Sequence, residues 1–273
     1  MRKLTLVDGL IGLVFVIGLA VRLAGMGKIP LNDAEAQWAM QALQIAKGGS
    51  HVGAEAGVVL WSSWLFRILG GGNFLARLIP ALSGSLIILF PIFLQKKVGP
   101  LASVLFAVGL ALDPLLVGVS RQVDGLSIAI GLAGLVLGFW YLRKDLIAGI
   151  SLGFFLISGP SAWLGLSLLA LVVIINWLFL GEKKLIPATQ ENNHLNWKLF
   201  LTGLGISLFA GGTLLMTTPT GISGAMEGMV AFLESWETVR EVPLSAAMVL
   251  MAMINYLLMP SLFAVGFMAK AFW

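Results

Sequence analysis

Hydrophobic residues fall along this chain in long blocks separated by short polar stretches, and the blocks are long enough to be membrane helices. A helix crossing the apolar part of a bilayer needs about twenty apolar residues, fewer where neighbours shield it. Blocks of this kind run over 6–26, 75–94, 101–119, 123–142, 146–158, 162–180, 199–216 and 244–269. Backbone groups cannot stay unpaired in lipid, so runs this apolar are expected as helices. The pattern predicts an all-α, polytopic membrane protein of about eight transmembrane helices, a single transmembrane domain over 1–273. The fifth block is short, and Gly159-Pro160 is expected to join it to the sixth as a tight hairpin.

Two stretches between blocks are patterned differently. Within 27–74, the segment Asp33–Lys47 places Gln37, Gln41 and Gln44 on one helical stripe and Ala36, Met40 and Leu43 on another. The next piece, Val58–Leu69, carries Trp61, Trp64 and Phe66, as segments lying in a membrane interface do. In 217–243, Met226, Met229, Leu233 and Trp236 stand against Glu227, Glu234, Glu237 and Glu241. Both loops are expected to form amphipathic juxtamembrane helices on the outer face. The polar stretch Pro187–His194 reads as a cytoplasmic connector, and no internal repeat or separate soluble domain is visible.

Charge sets the expected orientation. Arg2 and Lys3, Lys96 and Lys97, Arg143 and Lys144, Lys183, Lys184 and Lys198, and Lys270 all fall on one side of an eight-span arrangement. Basic loops mark the cytoplasmic side. An integral protein of a bacterial plasma membrane, with both termini in the cytoplasm, is therefore expected. The remaining basic residues, Arg22, Lys28, Lys47, Arg67, Arg77, Arg121 and Arg240, lie at or beyond the outer face, where topology does not explain them.

Composition narrows the class further. With 59% hydrophobic and 11% charged residues, the chain carries too much apolar surface for one aqueous core. The net charge of +4 fits basic loops of a membrane protein, and no nucleic-acid partner is expected. There is no cysteine, so disulfides and thiolate metal sites do not arise. The first apolar block lacks a small-residue cleavage site and reads as a retained span.

Several residues invite two readings. Asn32 with Glu35 makes a capping box, and acids in a first helical turn suit the helix dipole. Asp33 or Glu35 is equally placed to be a general base at the membrane surface. Arg121 and Asp124 share a face if helical, either as a surface ion pair or as an arginine meeting a phosphate beside a second acid. Asp113 before Pro114 is expected to cap a restarted helix. Arg22 and Arg77, near span ends, snorkel to the interface or face the same cavity. His51 and His194 are lone histidines on opposite sides. No cofactor is expected, and a divalent metal, though chemically possible at the acids, has no ligand pattern to support it.

Read together, Arg22, Pro30 and the Asp33-Ala34-Glu35 start of a juxtamembrane helix form an ordered set. The set continues with Arg77 within Gly71–Gly84, the basic turn Gln95–Gly99, and the run from Pro114 through Ser120-Arg121 to Asp124. This set resembles the integral-membrane C-type glycosyltransferases, specifically the protein O-mannosyltransferase and lipid A aminoarabinose transferase branch. The likeness covers roughly residues 18–145. It departs in having Ala34 where the usual catalytic aspartate stands and Gly159 where a lysine is common. Members usually run on beyond this length, so a short relative or a missing C-terminal part is expected.

The resemblance implies a transferase at the outer membrane face whose donor is a polyprenyl-phosphate sugar entering from the bilayer. Asp33 or Glu35, with Asp124, would be the catalytic acids. Arg121, Arg77 and Arg22 would meet the lipid phosphate, and attack on the donor would invert the anomeric carbon. A rival reading is a non-catalytic relative serving as a structural subunit among other membrane subunits. A transporter fits less well, because repeat symmetry is lacking and mid-span charges are scarce. Expected partners are membrane lipids, the lipid-linked sugar and such subunits.

Overall fold

A computed structural model describes residues 5–180 and 195–237. The eighth predicted span, the connector Pro187–His194, and the basic residues Arg2, Lys3, Lys183, Lys184, Arg240 and Lys270 lie outside the described residues. Among these residues every regular element is helical, and no strand occurs.

The helices are α1 (Leu6–Leu23), α2 (Asp33–Ala46), α3 (Ala56–Leu69), α4 (Asn73–Ser85), α5 (Pro91–Val98), α6 (Pro100–Leu112), α7 (Pro114–Ser120), α8 (Gly125–Tyr141), α9 (Asp145–Ile157), α10 (Pro160–Leu180), α11 (Trp197–Gly212) and α12 (Gly221–Glu237). A 3-10 turn, Leu86–Leu89, joins α4 to α5 into one apolar rod over Asn73–Val98. That rod and α1 are long and apolar enough to cross a membrane. The pair α6 and α7, bent by 52°, makes a third candidate if counted as one span. The other apolar helices, α3, α8, α9 and α11 among them, fall short of a full crossing length.

The caps follow from local chemistry. Asn32 and Glu35 exchange hydrogen bonds, each side chain accepting from the other's backbone N–H at 2.8 and 3.0 Å, so α2 starts where the capping box predicts. Asp113 accepts from Leu116 N–H at 2.9 Å and Pro114 opens α7, which breaks the α6–α7 pair at the expected position.

Helix packing is set by small residues. Gly149 lies against the backbone of Phe200 and Leu204, and Gly153 against Leu204 and Ser207. Gly203 faces Leu146 and Ile150, and Gly211 faces Phe154 and Ile157. Both helices therefore advance together, and α9 and α11 run parallel through a small-xxx-small seam. The same holds for α4 and α8: Ser127 donates to Pro80 O at 3.2 Å, Gly131 abuts Ser83, and Gly134 abuts Ile87. In the third parallel pair, Ile11 of α1 shares a buried cluster with Ala107 of α6, and Gly18 meets Ala111. Each parallel pair requires the chain to travel back between its members. From α1 to α11 the seven rods, the broken pairs counting once each, thus reverse direction six times.

The Gly159-Pro160 turn is tight, but α9 packs on α8 and α11, and an apolar cleft remains between α8 and α10. At one end of the bundle, here termed the capped end, α2 and α3 fold back on each other. There α12 crosses the 50–54 segment, with Gly224 on Val52, Gly228 on Ala54 and the Thr220 hydroxyl donating to Ser50 O.

Candidate functional site

The three arginines expected at a phosphate all gather at the C-terminal end of α1. Arg22 is fully buried and donates to Gly18 O at 3.0 Å, Ala111 O at 3.1 Å and Leu110 O at 3.2 Å. The α6 carbonyls need a donor because Pro114, four residues beyond Leu110, has no N–H. Arg22 supplies what the helix break removes. Arg121 donates to Val21 O at 3.3 Å and Ala24 O at 2.8 Å, a cationic cap on the last turn of α1.

Arg77 is more fully committed. Its Nε and one terminal nitrogen bind the two Glu35 oxygens at 2.9 and 2.6 Å. The same terminal nitrogen reaches Pro30 O at 3.0 Å, and the other reaches Met26 O at 3.0 Å and Ile29 O at 2.8 Å. All five guanidinium N–H groups are thereby used. Glu35 also accepts from Asn32 N–H at 3.0 Å and Val123 N–H at 3.0 Å, so each of its oxygens receives two hydrogen bonds. Burial alone would raise this carboxyl's pKa. The hydrogen bonds from Arg77, Asn32 and Val123 and the Arg77 charge outweigh that, and the pKa is lowered. The network ties the α1–α2 linker, α2, α4 and the loop before α8 into one unit. Asp33, two residues earlier, is exposed.

The structure thus brings Glu35, Arg77, Arg22 and Arg121 into one neighbourhood, with Val123 linking it to Asp124. Arg77 spends all its donors on protein oxygens and Glu35 has no open lone pair, while Arg22 keeps a buried Nε without a partner and Arg121 has two of its five N–H groups engaged. Asp124 stands apart as the N-cap of α8, accepting from Leu126 N–H at 2.8 Å.

Beside Asp124 lies an acid that sequence reasoning passed over. Glu55 precedes α3 but does not cap it. Its carboxylate instead reaches 70 residues along the chain to accept from Gly125 N–H at 3.0 Å. Gly125 and Gly159 leave it room: a side chain at either would overlap its carboxylate oxygen. Gly159 also has φ +139°, a backbone that other residues resist. Burial, reinforced by the charge of Asp124 and opposed by the Gly125 hydrogen bond, pushes the Glu55 carboxyl up to about 8. Near neutral pH, Glu55 therefore carries a proton next to a second acid. One signal was in the sequence: Glu55 is the one charged residue between Lys47 and Arg67.

The cleft between α8 and α10, about 370 Å³, opens beside this pair. Leu126 and Ser161, which line its capped end, come one and two residues after the glycines that Glu55 touches. From Leu126 to Trp140 the cleft extends about 21 Å along α8, at 1.5 Å per residue. Among the described residues that line it, all but Ser161 are apolar or glycine. Among the described residues no group of three His, Asp or Glu side chains is arranged to hold a metal.

Compared with known proteins, the chain matches no family model and no curated relative.

Proposed function

We propose that this chain is a membrane glycosyltransferase-like protein that takes a polyprenyl-phosphate-linked sugar at the outer membrane face. Its acid–base pair in this reading is Glu55 with Asp124. The observation that carries it is two neighbouring carboxyls, Glu55 held by Gly125 N–H and Asp124 capping α8, beside one end of a long apolar cleft. Two carboxyls whose environments differ are the usual means of dividing acid and base roles. Asp124 accepts the proton of the attacking acceptor hydroxyl. The new glycosidic bond forms as the bond from the anomeric carbon to phosphate breaks, with inversion. Glu55 hydrogen-bonds the departing phosphate oxygen. Arg121, with two of its five N–H groups engaged, is the arginine left to face that phosphate.

The same reading takes the eight apolar blocks as eight crossings with cytoplasmic ends, α2, α3 and α12 lying at the outer surface. The alternating direction of successive rods supports it. So does the position of the basic turns: Lys97 sits 5.3 Å over the Tyr141 ring, which puts Lys96, Lys97, Arg143 and Lys144 together at the end opposite the acids.

The test is sugar release from a polyprenyl-phosphate sugar by the purified full chain in nanodiscs. Glu55→Gln and Asp124→Asn are each expected to slow turnover about a hundredfold or more while sparing donor binding. Full activity in both variants would remove this pair from the chemistry.

A second reading, a non-catalytic structural subunit, is favoured by one observation: Glu35, Arg77 and Arg22 are spent on holding the fold. Failure of the unmodified protein to bind or cleave the donor, with its natural membrane subunits present, would select it.

A further inference from the structure

A second cavity of about 370 Å³ lies where α12 passes over the start of α10, lined by Pro160, Ser161, Leu164, Phe232, Ser235 and Trp236. It shares Ser161 and Leu164 with the α8–α10 cleft, so the two meet end to end at the capped end of the bundle. Their linings differ in kind. The long cleft offers almost nothing but apolar side chains. The second cavity offers the Ser161 hydroxyl, the Ser235 hydroxyl (which donates to Phe232 O at 2.6 Å and is left as an acceptor) and the aromatic pair Phe232 and Trp236, whose rings sit edge to face at 6.0 Å. At the junction, Ser161 Oγ is buried and has no hydrogen-bond partner, although buried hydroxyls are nearly always satisfied.

We propose that these two cavities are one binding site for a single-chain glycolipid. The hydrocarbon chain fills the α8–α10 cleft, and the sugar sits at the mouth against Trp236, hydrogen-bonded by Ser161 and Ser235. The inference goes beyond the transferase reading: the phosphate-bearing donor faces Arg121, which lines neither cavity, so the neutral lipid held here is the acceptor side of that reaction, and the inference rests on that reading only for which lipid reacts. The head-group class follows from what lines the mouth. Among the described residues no cationic side chain lines either cavity, so an anionic head finds no counter-charge from them. No carboxylate of the described residues lines them either, and none of these residues offers the usual attraction for an ammonium head. Hydroxyls beside an exposed aromatic face suit a neutral, hydroxyl-bearing ring, whose C–H faces lie on the aromatic surface while its hydroxyls find Ser161 and Ser235. Seated there, the sugar lies close to Gly159, and hence to Glu55.

The test uses the full chain in nanodiscs and a hexadecyl glucoside carrying a diazirine in mid-chain, with cross-links mapped by mass spectrometry. Cross-links are expected on α8 and α10 at Ala133 and Leu168, both in the cleft wall. Unlabelled hexadecyl glucoside should compete, with hexadecyl phosphate and hexadecyltrimethylammonium at least about tenfold weaker, since each charged head must desolvate without a partner. Ser161→Ala should weaken labelling about three- to tenfold, as loss of one neutral hydrogen bond does. Leu164→Trp, with Gly165→Leu as a milder filling, should abolish it, and an unchanged unfolding temperature in Ser161→Ala keeps the result interpretable. Labels scattered over the exposed faces of α1 and α11 would overturn the site. Equal competition by all three head groups would overturn the sugar assignment. Cleft labelling without sugar release would uphold the site and sink the transferase. Sugar release without cleft labelling would do the reverse.

Discussion

Arg77→Ala separates a structural arginine from a phosphate-binding one, because the two roles predict opposite effects on the empty protein. In the wild type, Arg77 and Glu35 are each only 4% exposed. Removing the guanidinium leaves Glu35 with two backbone donors and no counter-charge, and it frees the Met26, Ile29 and Pro30 carbonyls. Breaking a buried pair by deleting one partner costs about 3–5 kcal/mol. The carbonyl losses overlap with that figure, because water reaches the linker once the side chain is gone. At about 2–4 °C per kcal/mol for a chain of this size, the melting temperature should fall by roughly 6–20 °C. The measurement is thermal unfolding of the full chain in nanodiscs without added lipid phosphate. A companion variant, Glu35→Gln with Arg77→Met, removes both charges and should recover at least about half of the loss, since no unpaired ion stays buried. A fall of less than about 3 °C for Arg77→Ala, or a double variant no better than the single one, would refute the clamp.

Four further outcomes follow. The Glu55 pKa is raised in the folded protein, so the folded state holds the proton more tightly than the unfolded chain, and stability should decline as pH rises from about 4.5 to about 8. Glu55→Gln should flatten that decline, and an unchanged slope in pH-dependent unfolding would disprove it. Glu35 has the opposite sign: its contribution is present above the ordinary value of 4.5 and is lost as pH falls through its lowered one, a loss absent in Glu35→Gln. Gly203→Leu would drive a side chain into the Leu146 carbonyl and should separate α9 from α11, costing several kcal/mol, whereas Gly205→Leu, facing open space, should be tolerated. Cysteines placed singly at Ser50 and Lys97 should differ in labelling by an impermeant maleimide on intact cells, and equal labelling would end the eight-crossing arrangement.

What was legible in the sequence was whatever is decided locally. The Asn32–Glu35 box and the Asp113–Pro114 break lie within four residues of their partners, and both occur where the residue pattern placed them. The apolar blocks correspond to helices or bent helix pairs throughout the described region. Partners distant along the chain were not legible. Glu35 reads as a free acid until Arg77, 42 residues on, is seen to saturate it. Arg22 reads as snorkelling because nothing near it in sequence announces the carbonyls of Leu110 and Ala111. Glu55 sits in a run of small residues without a motif, and only the fold reveals Gly125 and Gly159 on either side of it.

The three parallel pairs also impose an order of assembly. Helices that run the same way cannot be chain neighbours, so α9 is made two rods before α11. During synthesis the glycine face of α9 has no mate until α10 has been threaded back and α11 has arrived. The wait is shorter in sequence than it is in surface, since an open glycine groove of this kind can accept any small-faced helix that passes. The tight turn at Gly159-Pro160 keeps α10 beside α9 for that interval, with Gly165 against Phe155 rather than against Gly149 and Gly153, leaving the groove vacant for its later occupant. Newly made chains halted after α10 would therefore be the form most prone to pair with one another.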